Sequence, residues 1–177
     1  MSTADSFVLQ FVFMPTIDAD MRTFKVHLLS DGSPQTTELY RFHHPVTGLS
    51  HGLTTFHRQN LTTNIFETAG QIEWSSDYNA TVHFGLEEAI VHIRDLRKAK
   101  KSSSRSRRFK AAGSEYKWKM ASDSVDLSCV DSRGKVIAFW NQEQSNLLVS
   151  PKGESILDRL VVTCFLNLWA LRHLGQW

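Results

Sequence analysis

Cysteine is scarce in this chain: Cys129 and Cys164 are its only two. Two thiols cannot build a disulfide framework, so a reducing, cytoplasmic setting is expected, with the nucleus or a membrane surface as further locations. Long apolar runs are missing too. The longest uncharged stretch of the C-terminal apolar region, Leu160 to Leu171, has 12 residues, whereas a membrane span needs about 20. That length suits a core helix and excludes a transmembrane one. The first fifteen residues carry no basic region, and Gln10 breaks their apolar run, so a secretory signal is not expected. Also missing are G-x-S-x-G, a P-loop, a dinucleotide fingerprint, H-E-x-x-H and a D-x-[DN]-x-[DN]-G calcium loop. No catalytic motif, cofactor site or metal ligand set is therefore read, and the reading leans away from an enzyme. Cys129 and Cys164 fall on core elements, where a thiol packs rather than reacts. The carboxylates Glu87-Glu88 and Asp123 with Asp126 fall in turns or loops.

What the sequence has is β-forming segments. Phe7–Phe13, Thr23–Leu28, Glu38–Phe42, Leu53–His57, Asn64–Glu67, Gln71–Trp74 and Ala80–Phe84 are short, β-branched or alternating, and bounded by Pro, Gly or Asp. Leu86 to Lys98 fits both periods, and a short strand passing into one helical turn is expected. Arg107–Lys110, Glu115–Met120, Val125–Val130, Lys135–Trp140 and Asn146–Val149 follow, with a hairpin predicted around Asp131–Gly134. The count is eleven or twelve strands. After Pro151-Lys152-Gly153 the pattern changes. Ser155 suits a helix N-cap, and Asp158 suits the positive end of the dipole. From Ile156 to Leu174 apolar residues surround nearly the whole helix, and such a helix has to be buried. The expected fold is one domain over 1–177: a closed antiparallel β-barrel of about twelve strands around a buried C-terminal helix at about 155–174.

Several segments resemble a large, uncharacterised family of small proteins from mushroom-forming fungi. They are Thr36–Arg41, Ser106–Lys110 with Gly113 and Tyr116–Trp118, Lys135–Phe139, Leu147–Gly153 and Leu157–Phe165. The likeness covers nearly the whole chain, and it lies in the order of the segments rather than in any single motif. The family is similar to the tubby C-terminal and phospholipid-scramblase group, whose fold is a twelve-stranded barrel around a hydrophobic helix. The resemblance implies that fold, and it implies binding of phosphoinositide or of a membrane surface. No ligand residue of that group carries over by position.

The strongest functional signal is charge. Arg94, Arg97, Lys98, Lys100, Lys101, Arg105, Arg107, Arg108 and Lys110 face one acid, Asp95, within seventeen residues. That segment carries +8 in a chain of net +2, leaving −6 for the rest. Ser102, Ser103, Ser104 and Ser106 add flexibility, and a mobile basic loop is expected at about 97–108. Its nine cations are the candidate anion-binding residues, and the leading partner is an anionic lipid surface. Nucleic acid is the second candidate partner, since Lys98-Ala99-Lys100-Lys101 and Arg105-Ser106-Arg107-Arg108 also look like a nuclear import address. A protein partner is a further candidate. A third reading is a carrier or enzyme for a small apolar ligand held inside the barrel. Among eight histidines, His43, His44, His51 and His57 lie close in sequence but lack metal-binding spacing. The tryptophans read as core, except Trp177, which suits an exposed interface.

Overall fold

The computed structural model describes residues 6–14, 20–85, 89–122 and 124–177. Leu86, Glu87, Glu88 and Asp123, named above, lie outside the described residues, as does the Pro15 that bounds the first strand segment. The strands are β1 Phe7–Phe13, β2 Phe24–Leu29, β3 Thr36–His43, β4 Gly52–Asn60, β5 Ile65–Ser76, β6 Asn79–Phe84 and β7 Ala89–His92. A one-turn helix, α1 Ile93–Leu96, leads on to β8 Ser106–Ala111, β9 Ser114–Met120, β10 Leu127–Val130, β11 Val136–Asn141 and β12 Asn146–Val149. Two helices close the chain, α2 Pro151–Glu154 and α3 Leu157–Arg172. Antiparallel ladders join the strands in one twelve-stranded order, β7-β6-β5-β4-β3-β2-β1-β12-β11-β10-β9-β8. The order is linear, with β7 and β8 at its two ends. The fold is thus a mainly β, twelve-stranded antiparallel sheet with a C-terminal helix. The chain forms two compact units, residues 11–93 and residues 1–10 with 94–177.

In the unit of residues 11–93, strand alternation puts one residue of each strand on a shared aromatic row. Pairing sets Phe24 opposite Phe42, Phe42 opposite Phe56, Phe56 opposite Gly70 and Gly70 opposite Phe84. Phe24 and Phe42 stack at 4.3 Å between ring centroids, Phe42 and Phe56 at 5.1 Å, and Phe56 meets Phe84 edge-on at 6.2 Å. Gly70 is where the row needs no side chain. A Cβ there would lie 2.4 Å from Phe56 Cζ and 2.2 Å from the His83 carbonyl oxygen. The sequence reading takes Gly70 as a break between two strands, but β5 runs unbroken through it for 12 residues. Gly70 serves close approach here, not chain reversal.

In the unit of residues 1–10 and 94–177, α3 is buried at twelve positions, from Leu157 through Leu160–Ala170. Two polar residues interrupt this apolar helix, Thr163 and Asn167, both fully buried. Thr163 Oγ1 donates to the Arg159 carbonyl at 2.7 Å and accepts from Trp118 Nε1 on β9 at 2.8 Å. Gly153 on α2 lets the chain turn tightly, since a Cβ there would meet Val149, Leu160 and the Ile137 carbonyl at 2.8–3.0 Å. The helix start differs from expectation. Ile156 occupies the N-cap of α3, with no side-chain cap, while Ser155 ends α2 and its Oγ donates to the Lys152 carbonyl at 3.2 Å. Pro151 at the first position of α2 begins a separate short helix, so the chain is already turned before α3 starts.

Candidate functional site

Alternation along β8 decides where its cations point. Arg107, Phe109 and Ala111 are buried, whereas Lys110 is exposed and Arg108 half-buried. The loop before β8 is closed at its base by Lys98 and Arg108, which exchange two backbone hydrogen bonds of 3.0 and 2.9 Å. Within it, the Ser104 amide donates to the Lys101 carbonyl at 2.9 Å, and the Ser104 and Ser106 hydroxyls pair at 3.1 Å. Ser102 and Ser103 are exposed.

The nine cations therefore divide. Arg94, Lys98, Lys100, Lys101, Arg105 and Lys110 are exposed. Arg105 also donates to the Ala121 carbonyl at 2.7 Å, which braces one side of the loop. Arg108 is paired with Glu115 at 2.6 Å. Arg97 and Arg107 turn inward. Arg107 is 7% exposed and donates to the Ser104 and Ser106 carbonyls at 2.7 and 3.0 Å, and to the Trp177 carbonyl oxygen. Its guanidinium also lies over the Trp177 ring, 5.3 Å from the centroid. Trp177 is thus half-buried against Arg107, rather than an open interface residue.

Arg97 Nε donates to Asn167 Oδ1 at 2.8 Å. Burial first, and the neighbouring Arg107 charge second, push the Arg97 guanidinium down to about 10. It stays protonated at neutral pH. Among the described residues Arg97 has no carboxylate partner, while Arg97 Nη2, Asn167 Nδ2 and Trp177 Nε1 are buried donors with no acceptor. Asn167 was not singled out from sequence. The signal was there: a polar residue inside an all-round apolar helix has to find a partner. Arg107 was legible in the same way, because it shares the strand face of Phe109.

The histidines scatter. Only His44 is buried, 1% exposed, with Nδ1 hydrogen-bonded to Thr54 Oγ1 at 2.8 Å. Trp74 Nε1 donates to the same hydroxyl at 2.9 Å. Among the described residues no three of His, Cys, Asp and Glu come together as a metal would require. An open cleft of about 480 Å³ lies beside this network, lined by His51, Gly52, Leu53, Gln71, Glu73 and Trp74. Both cysteines are free and buried, and burial pushes each thiol up, away from the reactive thiolate. No helix of the described residues is long and apolar enough to cross a membrane.

Comparison with known proteins adds a family. Residues 21–173 match DUF6593, a family of unknown function. The chain belongs to it. The DUF6593 match runs from before β2 to just past the end of α3, so it takes in the inward arginines, Asn167 and the basic loop. No curated protein matches the chain. A solved structure is similar over 82% of this chain and 95% of its own, at 15% identity and a TM-score of 0.30. It is a protein of unknown function from Bacteroides fragilis NCTC 9343.

Proposed function

We propose that this DUF6593 protein is a non-enzymatic binding module that engages an anionic lipid surface through Lys98, Lys100, Lys101 and Arg105. The observation that carries this reading is the division of the basic segment: these four cations stand exposed on one short loop between α1 and β8. The loop base is fixed by the Lys98–Arg108 bridge, so its charges are presented together. Each cation near an anionic leaflet contributes about 1 kcal/mol. The body carries the opposite sign, so an anionic surface attracts the protein loop-first. A cytoplasmic protein that docks peripherally on membranes is the matching cellular picture.

The closed barrel and the tubby and scramblase likeness belong to this proposal. Twelve antiparallel strands and a helix buried at twelve positions support it, since wrapping the sheet round α3 is an economical way to cover that much apolar surface.

The test is cosedimentation with vesicles of phosphatidylcholine containing phosphatidylinositol 4,5-bisphosphate. Wild type should pellet at 0.1 M salt and be released towards 1 M, where the Debye length falls from about 10 Å to 3 Å. Replacing Lys98, Lys100, Lys101 and Arg105 by Ser should abolish pelleting. A wild type that ignores the vesicles at low salt but retards on a nucleic-acid gel would overturn the lipid reading in favour of nucleic acid.

A further inference from the structure

Arg97, Arg107, Asn167 and Trp177 come from four separate places: the turn after α1, strand β8, the middle of α3 and the segment after it. The fold brings them together, and every group they leave unspent is a donor. Arg97 Nη2, Asn167 Nδ2 and Trp177 Nε1 are buried without acceptors. Asn167 is fully buried and Arg107 is 7% exposed. Its partner in charge, Arg97, faces no carboxylate among the described residues. A buried guanidinium without a counter-charge is costly, and so is a buried amide N–H without an acceptor. An oxyanion would satisfy all of these demands together.

We propose that Arg97, Arg107, Asn167 and Trp177 form an inward binding site for a single phosphate monoester group. The positive field of Arg97 and Arg107 suits an anion, and a phosphate monoester brings three acceptor oxygens for the three orphaned donors, whereas a carboxylate brings two. Arg97 Nη2 and Asn167 Nδ2 supply adjacent donors, because Arg97 Nε already holds the other end of the same amide. The Trp177 ring lies over Arg107, so seating an anion there changes the indole environment. This deepens the anion-binding reading of the basic segment and rests on it, but on different atoms: the loop lysines collect charge outside and the two arginines hold one group inside.

The experiment is titration of the full chain at constant ionic strength with inorganic phosphate, and in parallel with phosphatidylcholine vesicles containing phosphatidic acid, reading the Asn167 side-chain amide and Arg97 Nε–H resonances. A saturable shift with half-saturation at or below about 1 mM phosphate is expected. A shift with inorganic phosphate assigns a soluble ligand, and a shift only with phosphatidic acid assigns a lipid headgroup. Neither overturns the proposal. Asn167→Asp places a carboxylate beside Arg97 and should weaken the response at least tenfold while the protein stays folded. Should that variant not fold, Trp177→Phe keeps an aromatic ring, loses the N–H, and should weaken the response several-fold. An unchanged response in the folded variant overturns the site. The Lys98, Lys100, Lys101, Arg105→Ser protein separates the two readings. It should lose vesicles containing phosphatidylinositol 4,5-bisphosphate and keep the phosphate response.

Discussion

Arg97 donates its Nε–H to Asn167 across seventy residues of sequence, and this 2.8 Å bond ties the turn after α1 to the middle of α3. The Arg97 guanidinium is held below its ordinary value by burial and then by Arg107. Asn167→Leu keeps the branched shape and removes the acceptor. A hydrogen bond to a charged group is worth about 1.5–3 kcal/mol, and the loss should fall in that range by urea unfolding. A loss within about 0.5 kcal/mol would mean that the bond holds nothing.

Thr163 is the second polar interruption of α3, and its hydroxyl is shared between the Arg159 carbonyl and the Trp118 indole. Thr163→Val preserves shape and orphans the Trp118 N–H inside the unit. The expected cost is about 1–3 kcal/mol. Near-ultraviolet circular dichroism of Trp118 should report a changed environment while the far-ultraviolet spectrum is kept.

Gly70 accepts the Phe56 ring in the aromatic row. Gly70→Ala sets a methyl against a backbone carbonyl, which cannot swing aside as a side-chain tip can. A loss of about 1–3 kcal/mol is expected, the ordinary range for overpacking. The control is Gly134→Ala, where open space surrounds the Cβ position and only its positive φ of 81° opposes the change. Thermal melts of the two variants separate packing from backbone strain.

These positions show what the sequence could and could not convey. The strands from Phe7 to Val149 were legible because alternation and turn residues are local, and so was the turn of helix after His92. Gly70 was misread because glycine looks the same whether it ends a strand or admits a neighbour's ring. Ser155 was misread as a cap because the separate α2 turn depends on how Gly153 packs against Val149 and Leu160. The basic segment was legible as charge. Its division was legible only at Arg107, through the alternation it shares with Phe109, and not at Arg97, whose partner lies seventy residues downstream.

His44 gives the pH dependence. Burial, then the Arg22 guanidinium, hold its imidazole below the ordinary value of 6.5, with Asp20 acting in the opposite direction and His43 adding to the depression. A folded value below the unfolded one means that the unfolded chain takes up the proton first. Stability is therefore full above about pH 6.5 and is lost as pH falls towards the folded value, at no more than about 1.4 kcal/mol per pH unit. Melting in buffers from pH 7.5 to 5.5 should show the decline, and His44→Gln should flatten it. An equal slope in the variant would place the proton uptake elsewhere.

The division of the basic segment is tested most directly by the unfolding free energy of two variants, one losing charge from the loop and one from β8. Lys100→Ser with Lys101→Ser removes two exposed cations and should change stability by no more than about 0.5 kcal/mol. Arg107→Gln removes only one charge, but it breaks the bonds to the Ser104, Ser106 and Trp177 carbonyls. It should cost at least about 1.5 kcal/mol. Equal, small effects from both variants would contradict the account, because Arg107 would then be one more solvated cation.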